Sequence, residues 1–327
     1  MNREQFLTSI VAAALAPQAI GDPETAAPGQ ALRVLLGRGH AQQIDAQSFE
    51  YEGRTYRGSF SALPDGSIVN LVPLEAYLYS VVPREMPRSW PAAALQTQAI
   101  LARTYVLGRS SPLREYDLVP SESDQVYTGI DAEHAQTSDA VDATRGTVLR
   151  YGGGFASISY SSCCGGHTES NADAWGGKPL PYCKGVPCTY CSQSPWYSWS
   201  KTIEMAQLER ALQAQLSAAG PIAGVQLQQP DESGRPRTWT FVGSDGTIEV
   251  NAKDVRRTLG SRVLPSLLVR SVAIEAAADG GSMTVEGGGL GHGVGLCQWG
   301  ARGMALAGAQ SRAILAYYFP GTITAND

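Results

Sequence analysis

Apolar and polar positions alternate in short runs over the first part of the chain, then switch to helical spacing. Ala31 to Gly37, Phe49 to Arg57 and Gly66 to Val72 read as short strands between Gly, Asp and Pro turns. Leu74, Tyr77, Leu78, Val81 and Val82 follow at i, i+3, i+4, i+7 and i+8, which predicts a helix with one apolar face. Pro73 can open that helix, and Pro83 is expected to close it. A second helix starts near Pro91, carries Ala93, Leu95, Ala99, Ile100 and Leu101, and ends around Gly108. Between them Arg84-Glu85-Met86-Pro87 makes a short elbow, stiffened because Pro87 drives Met86 out of the helical region.

Further along, Asp139 to Arg145 reads as a short helix and Gly146 to Tyr160 as a hairpin around Gly152-Gly153-Gly154. Residues 195 to 275 alternate strand and helix patterns. Trp199 to Ile203 is a strand, and Glu204 to Ala218 a helix with Leu208, Leu212 and Leu216 stacked at i+4. Val225 to Leu227, Arg237 to Val242 and Thr247 to Asn251 are further strands. Gln298 to Leu306 and Ser311 to Tyr318 suit two closing helices. The fold class this predicts is α+β, and no internal repeat of fixed period interrupts it.

Composition narrows the picture. The 327 residues are 43% hydrophobic and 17% charged, values of a globular chain with room for a large core. A net charge of -5 without a long basic cluster gives no reason to expect nucleic acid. At the N-terminus, an apolar run from Phe6 to Leu15 and small residues at Ala16 to Ala19 fit a secretory signal, against the plainer reading of an amphipathic helix. Residues 21 to 30 read as a linker. The expectation is therefore a signal segment and linker over 1–30, one domain over 31–327, and export to the cell envelope.

Six cysteines need an account: Cys163, Cys164, Cys183, Cys188, Cys191 and Cys297. In an exported chain they can form disulfides, with fifteen possible connectivities. The Cys188-x-x-Cys191 spacing equally fits half of a structural zinc site, completed by Cys164, Cys183 or His167. Both readings stand, and both are structural. Metal-dependent hydrolysis at these cysteines is a weaker third, because closed cysteine sites leave no position for water. The glycine-rich run Gly287 to Gly295 lacks a following Gly-Lys-Ser/Thr, which excludes a phosphate-binding loop.

Several of these stretches together resemble the SpoIID family of sporulation proteins. They are Glu85-Met86-Pro87, then Ala94-Leu95-Gln96-Thr97-Gln98-Ala99 and Ala102-Arg103-Thr104-Tyr105, and the loop Gln125-Val126-Tyr127-Thr128-Gly129. Tyr160, Ser162, Gly165, Gly166 and Thr168 match a further family pattern, with Ser161 where the family usually has His. Gly291-His292-Gly293-Val294-Gly295, Gln298 and Gly300-Ala301 complete the likeness. Family members include lytic transglycosylases that cut peptidoglycan glycan strands, and amidase enhancers.

The resemblance implies a single catalytic domain in which a curved β scaffold and the helical elbow line a glycan groove. It also implies a lytic transglycosylase that cleaves the MurNAc-GlcNAc bond and leaves a 1,6-anhydroMurNAc end. Glu85 would be general acid and then base, needing no second carboxylate and no cofactor. Burial of that carboxyl among Met86, Trp90 and Tyr105 would favour its protonated form. Substrate contacts would come from Arg103, Gln125, Tyr127, Ser162, Thr168, His292 and Gln298. The alternative the resemblance carries is a non-catalytic wall-binding protein that stimulates an N-acetylmuramoyl-L-alanine amidase.

Overall fold

The computed structural model describes residues 31–275 and 281–327. The expected signal segment and linker, 1–30, lie outside the described residues. Helix and sheet are mixed through the chain, as an α+β reading requires. The described chain sorts into two compact units, one built from 31–158 and 304–327, the other from 159–303.

The first unit begins with strands Leu32–Arg38, Ser67–Val72 and Ser59–Ala62, paired antiparallel in that order. The stretch Phe49 to Arg57 is not one strand. It is a hairpin of Ser48–Tyr51 and Arg54–Arg57, reversed at Glu52 and Gly53, which take φ of 49° and 72°. Positive φ at both central residues is the turn that suits a two-residue hairpin, and Glu52-Gly53 disguised it.

Two helices dominate this unit. The first, α1 (Leu74–Glu85), buries Tyr77, Leu78, Val81 and Val82 completely. Burying each such side chain contributes about 1.5–3 kcal/mol before entropy is counted. Pro83 does not end α1, which continues through it to Glu85. A proline removes only its own donor, and here the loss falls in the last turn. The Met86 N–H still reaches Val82 O at 3.0 Å. Met86 then turns extended (φ -129°, ψ 139°), the conformation expected before Pro87.

The second helix, α2 (Ala92–Arg109), is buried on almost every side, with each residue from Thr97 to Thr104 inaccessible. Two of its buried hydroxyls are satisfied within the helix. Thr97 and Thr104 hydroxyls bond back to Ala93 O and Ile100 O, both at 2.7 Å. Tyr77, Leu78, Ala99, Ala102, Val106 and Tyr127 belong to one core with the strands Leu32–Arg38 and Ser48–Tyr51. The helices Ala135–Asp142 and Ser311–Tyr318, and a sheet of Ile323–Asn326, Thr147–Tyr151 and Gly154–Phe155, complete the unit.

The second unit holds two three-stranded antiparallel sheets. One orders Trp199–Glu204, Ser282–Gly287 and Val269–Glu275, the other Ile222–Pro230, Pro236–Gly243 and Thr247–Asn251. The expected helix Glu204 to Ala218 is broken at Leu212 into Met205–Ala211 and Gln213–Leu216. Its three leucines remain buried in a core with Trp239, Phe241 and Val285. Tyr160–Ser161 does not return to the hairpin predicted for it, but pairs parallel with Leu296–Cys297. That pairing brings the cysteine-bearing turn to the glycine-rich segment. Gln298–Leu306 and Ser311–Tyr318 are helices with the predicted bounds. Among the described residues no helix is long and apolar enough to cross a membrane.

Candidate functional site

In the first unit, Glu85 is the last residue of α1 and is half-buried, with Met86 fully buried after it and Pro87, Arg88 and Ser89 exposed. Its negative charge is felt at two tyrosines. Burial first, and then the charges of Asp124 and Glu85 among others, push the Tyr77 and Tyr105 phenols up from their usual range. Tyr105 donates to Asp124 Oδ1 at 2.8 Å, and Arg109 meets the same oxygen at 3.2 Å while its guanidinium lies 4.8 Å over the Tyr105 ring. Asp124 Oδ2 accepts from Val119 N–H at 2.9 Å. This carboxylate thus holds three donors as a structural acceptor.

The loop Gln125–Gly129 packs against the same end of α1. Arg84 Nε donates to Thr128 Oγ1 at 3.0 Å, and Thr128 N–H to Ser80 Oγ at 3.2 Å. The Tyr127 ring lies 4.8 Å from that of Tyr77. The structure therefore joins two stretches that sequence could only treat separately. Arg88 Nη1 is 2.9 Å from His134 Nδ1, and burial followed by the Arg88 charge lowers that histidine's pKa. The ring therefore accepts the bond in its neutral form.

Other expected contacts in this unit are withdrawn from any surface. Arg103 is wholly buried, its guanidinium held bidentately by Glu75 at 2.9 and 2.7 Å and bonded to Thr147 O and Val141 O. It braces α2 to α1 and to the following hairpin, a structural role. Tyr127 is likewise interior, donating to Asn70 Oδ1 at 2.8 Å, and Gln125 is buried with Nε2 3.4 Å from Ala102 O. A motif can be demanding for structural reasons, because a buried guanidinium needs every donor matched.

The second unit gathers the remaining candidates. Thr168 is buried, its hydroxyl donating to Val186 O and accepting Val186 N–H at 2.7 Å. His292 accepts Val294 N–H at Nδ1 (2.9 Å), lies with its ring tilted 5.1 Å from that of Trp175, and bonds the Tyr160 backbone. Burial of the ring pushes its pKa down to about 4, so it is a neutral, internally bonded histidine at any ordinary pH. Gln298 is buried at the start of its helix, and Ser162 offers its carbonyl to Trp299 N–H at 3.0 Å.

One arrangement here had no sequence signal beyond a carboxylate after a threonine. Glu169, buried, bonds Ser233 and Ser170 N–H and faces Arg235 at 3.8 Å. Burial outweighs the arginine and raises its pKa to about 7.

All six cysteines are buried free thiols. The sulfurs of Cys164, Cys188, Cys191 and Cys297 lie within 4.8 Å of one another. Cys183 and His167, expected as ligands, fall outside that cluster. His167 Nδ1 instead sits 2.7 Å from Thr168 O, and burial pushes the Cys183 thiol up to about 12. Cys297, which sequence left isolated, takes their place. Hydrogen bonds from the Cys163 and Cys164 thiols hold Cys191 down to about 4, while its neighbours Cys164 and Cys297 are pushed up.

Comparison with known proteins fits this division. A family model described as "Stage II sporulation protein" (SpoIID) matches residues 65–151, and one described as a domain of unknown function (DUF8618) matches 189–295. An uncharacterized protein of Brachyspira hyodysenteriae is 32% identical over 280 residues, covering 84% of this chain and 73% of that protein. The amidase enhancer of Bacillus subtilis is 28% identical over 294 residues, and the match spans 75% of this chain but 40% of that protein. Stage II sporulation protein D of Bacillus subtilis is 30% identical over 271 residues, covering 78% of this chain and 75% of its own. With the Glu85 corner, the Gln125–Gly129 loop and the glycine-rich segment all present, this chain belongs to the SpoIID family.

Proposed function

We propose that the chain is an exported cell-envelope lytic transglycosylase that cleaves the MurNAc-GlcNAc bond of peptidoglycan, with Glu85 as general acid and then base. The observation that carries this reading is the position of Glu85, half-buried at the last residue of α1, just before the buried Met86 and the exposed edge Pro87–Ser89. Asp124, the carboxylate that acts on the same two tyrosines as Glu85, is held by Arg109, Tyr105 and the Val119 N–H. A hydrolase needs a second carboxylate to activate water or form a covalent adduct. A transglycosylase needs one.

Glu85 in its acid form donates its proton to the glycosidic oxygen as that bond breaks. The resulting carboxylate then draws the proton from the 6-hydroxyl of the same muramyl sugar, whose oxygen closes the anhydro ring. The extended Met86-Pro87 exit ends α1 at Glu85, and the exposed Pro87–Ser89 edge leaves room for a strand to approach.

The test is digestion of purified glycan strands by the wild type and Glu85→Gln, with products read by mass spectrometry. Anhydro-muramyl ends from the wild type alone are the expected result. Reducing ends, heavier by one water, would overturn the transglycosylase assignment in favour of hydrolysis. The similarity to an amidase enhancer over three-quarters of this chain supports a second reading, a wall-binding partner of an amidase. Under that reading Glu85→Gln would stimulate a cell-wall amidase as well as the wild type, and neither would cut glycan.

A further inference from the structure

We propose that Cys164, Cys188, Cys191 and Cys297 hold one structural zinc ion, which fastens three distant segments of the second unit together. The four sulfurs approach one another within 4.8 Å, and Cys164 Sγ to Cys191 Sγ is 3.7 Å. That separation is far beyond a disulfide bond of about 2.05 Å. It matches the edge of a tetrahedron whose centre lies about 2.3 Å from each sulfur, the ordinary zinc–thiolate length.

The backbone around the cluster fits the same occupant. Cys188 enters from the segment after Gly185, its N–H bonded to Gly166 O at 2.8 Å, and the one-turn helix Thr189–Cys191 returns Cys191 beside it. Cys297 comes from the strand paired with Tyr160–Ser161, 133 residues beyond Cys164. Two backbone amides, Cys164 N–H and Gly300 N–H, donate to Cys297 Sγ at 3.3 Å each. Amide donors aimed at sulfur favour a thiolate and are the outer support that metal-bound cysteines use.

Zinc displaces the thiol protons to solvent, leaving a four-thiolate unit with two net negative charges. Positive charge is already built into this turn. Arg235 Nη2 bonds Cys164 O and Arg270 Nη2 bonds Gly165 O, both at 3.0 Å. With four protein ligands the ion has no open position, so its role is to hold the fold and not to activate water. What it holds is the junction of the Cys163–Thr168 turn with Leu296–Gln298, where the candidate residues Ser162 and Gln298 sit.

The test is metal analysis of the full chain purified under reducing conditions, without added metal. One zinc per chain is expected, with Cys191→Ser and Cys297→Ser each lowering zinc content by about tenfold and Cys183→Ala leaving it unchanged. Replacement by Co2+ should give the thiolate charge-transfer and tetrahedral bands of a four-sulfur site. Because the serine variants can fail to fold, the wild type supplies an independent reading. Four thiols should resist a thiol reagent until a chelator is added, and then react. Reactive or disulfide-bonded cysteines without stoichiometric metal would overturn the proposal. Stoichiometric iron in place of zinc would overturn it too.

Discussion

The two units support their candidate residues in different ways. Around Glu85 the support is a continuous apolar core: α1 lays four wholly buried side chains against strands and against α2, and one buried ion pair ties the helices. Around the cysteine turn the support is backbone. Glycines at positive φ let segments meet closely, arginines bind carbonyls, and four sulfurs converge. The first kind of site tolerates surface change and fails when its core or its ion pair is cut. The second kind depends on individual atoms, and a single methyl group can disturb it.

The sharpest way to break the first is Arg103→Met. It would strand the Glu75 carboxylate in a mostly buried place, and such losses cost about 3–5 kcal/mol. Denaturant unfolding should show this loss, and restored stability in the Arg103→Met, Glu75→Leu pair would identify the unpaired charge as its cause. In the second unit, Gly165→Ala is the corresponding test. Gly165 has φ +77°, and a Cβ there would stand 2.8 Å from Gly289 N and 2.6 Å from Leu268 Cδ2. Strain of this kind costs about 1–3 kcal/mol. A neutral result by thermal unfolding would mean that the close approach of the two glycine segments is looser than described.

Glu85→Gln sits at the opposite extreme. Removing a negative charge from a helix C-terminus should change stability by about 0.3–1 kcal/mol, in the stabilising direction, while glycan cutting is lost. A large destabilisation would make Glu85 a structural residue and leave the activity result uninterpretable as chemistry.

The last effect concerns pH, where two opposing slopes nearly cancel in the wild type. Glu169 has a folded pKa raised to about 7, so its contribution to stability is present at low pH and is lost as pH rises from about 4.5 through about 7. His292, lowered to about 4, runs the other way: its contribution is present above about 6.5 and is lost as pH falls toward about 4. The wild type should therefore show a shallow profile between these limits. Glu169→Gln should expose the histidine slope, with stability rising steadily from pH 4 to 6.5. A profile unchanged by that substitution would show that Glu169 titrates as an ordinary surface carboxylate.

Legibility followed the same divide. The apolar face of α1, the start of α2 near Pro91 and the bounds of both closing helices were readable, because periodic burial leaves a periodic trace. The Glu52-Gly53 reversal was missed because a glutamate rarely takes positive φ, and Pro83 was read as a stop although the last turn can absorb it. Arg103 is more instructive. Nothing local distinguishes an arginine that reaches a substrate from one that reaches a buried glutamate 28 residues earlier.

Sequence by itself determined the family, the helical pair, the elbow at Met86-Pro87 and the identity of Glu85 as the acid to test. These are local properties, fixed by side-chain spacing and by the backbone limits of proline. Tertiary structure alone decided which cysteines meet, that Asp124 and Glu75 are already paired, and that His292 is neutral and internally bonded. Those outcomes depend on the approach of segments far apart in the chain. Their energies come from burial and from the matching of donors to acceptors, neither of which spacing along a sequence records.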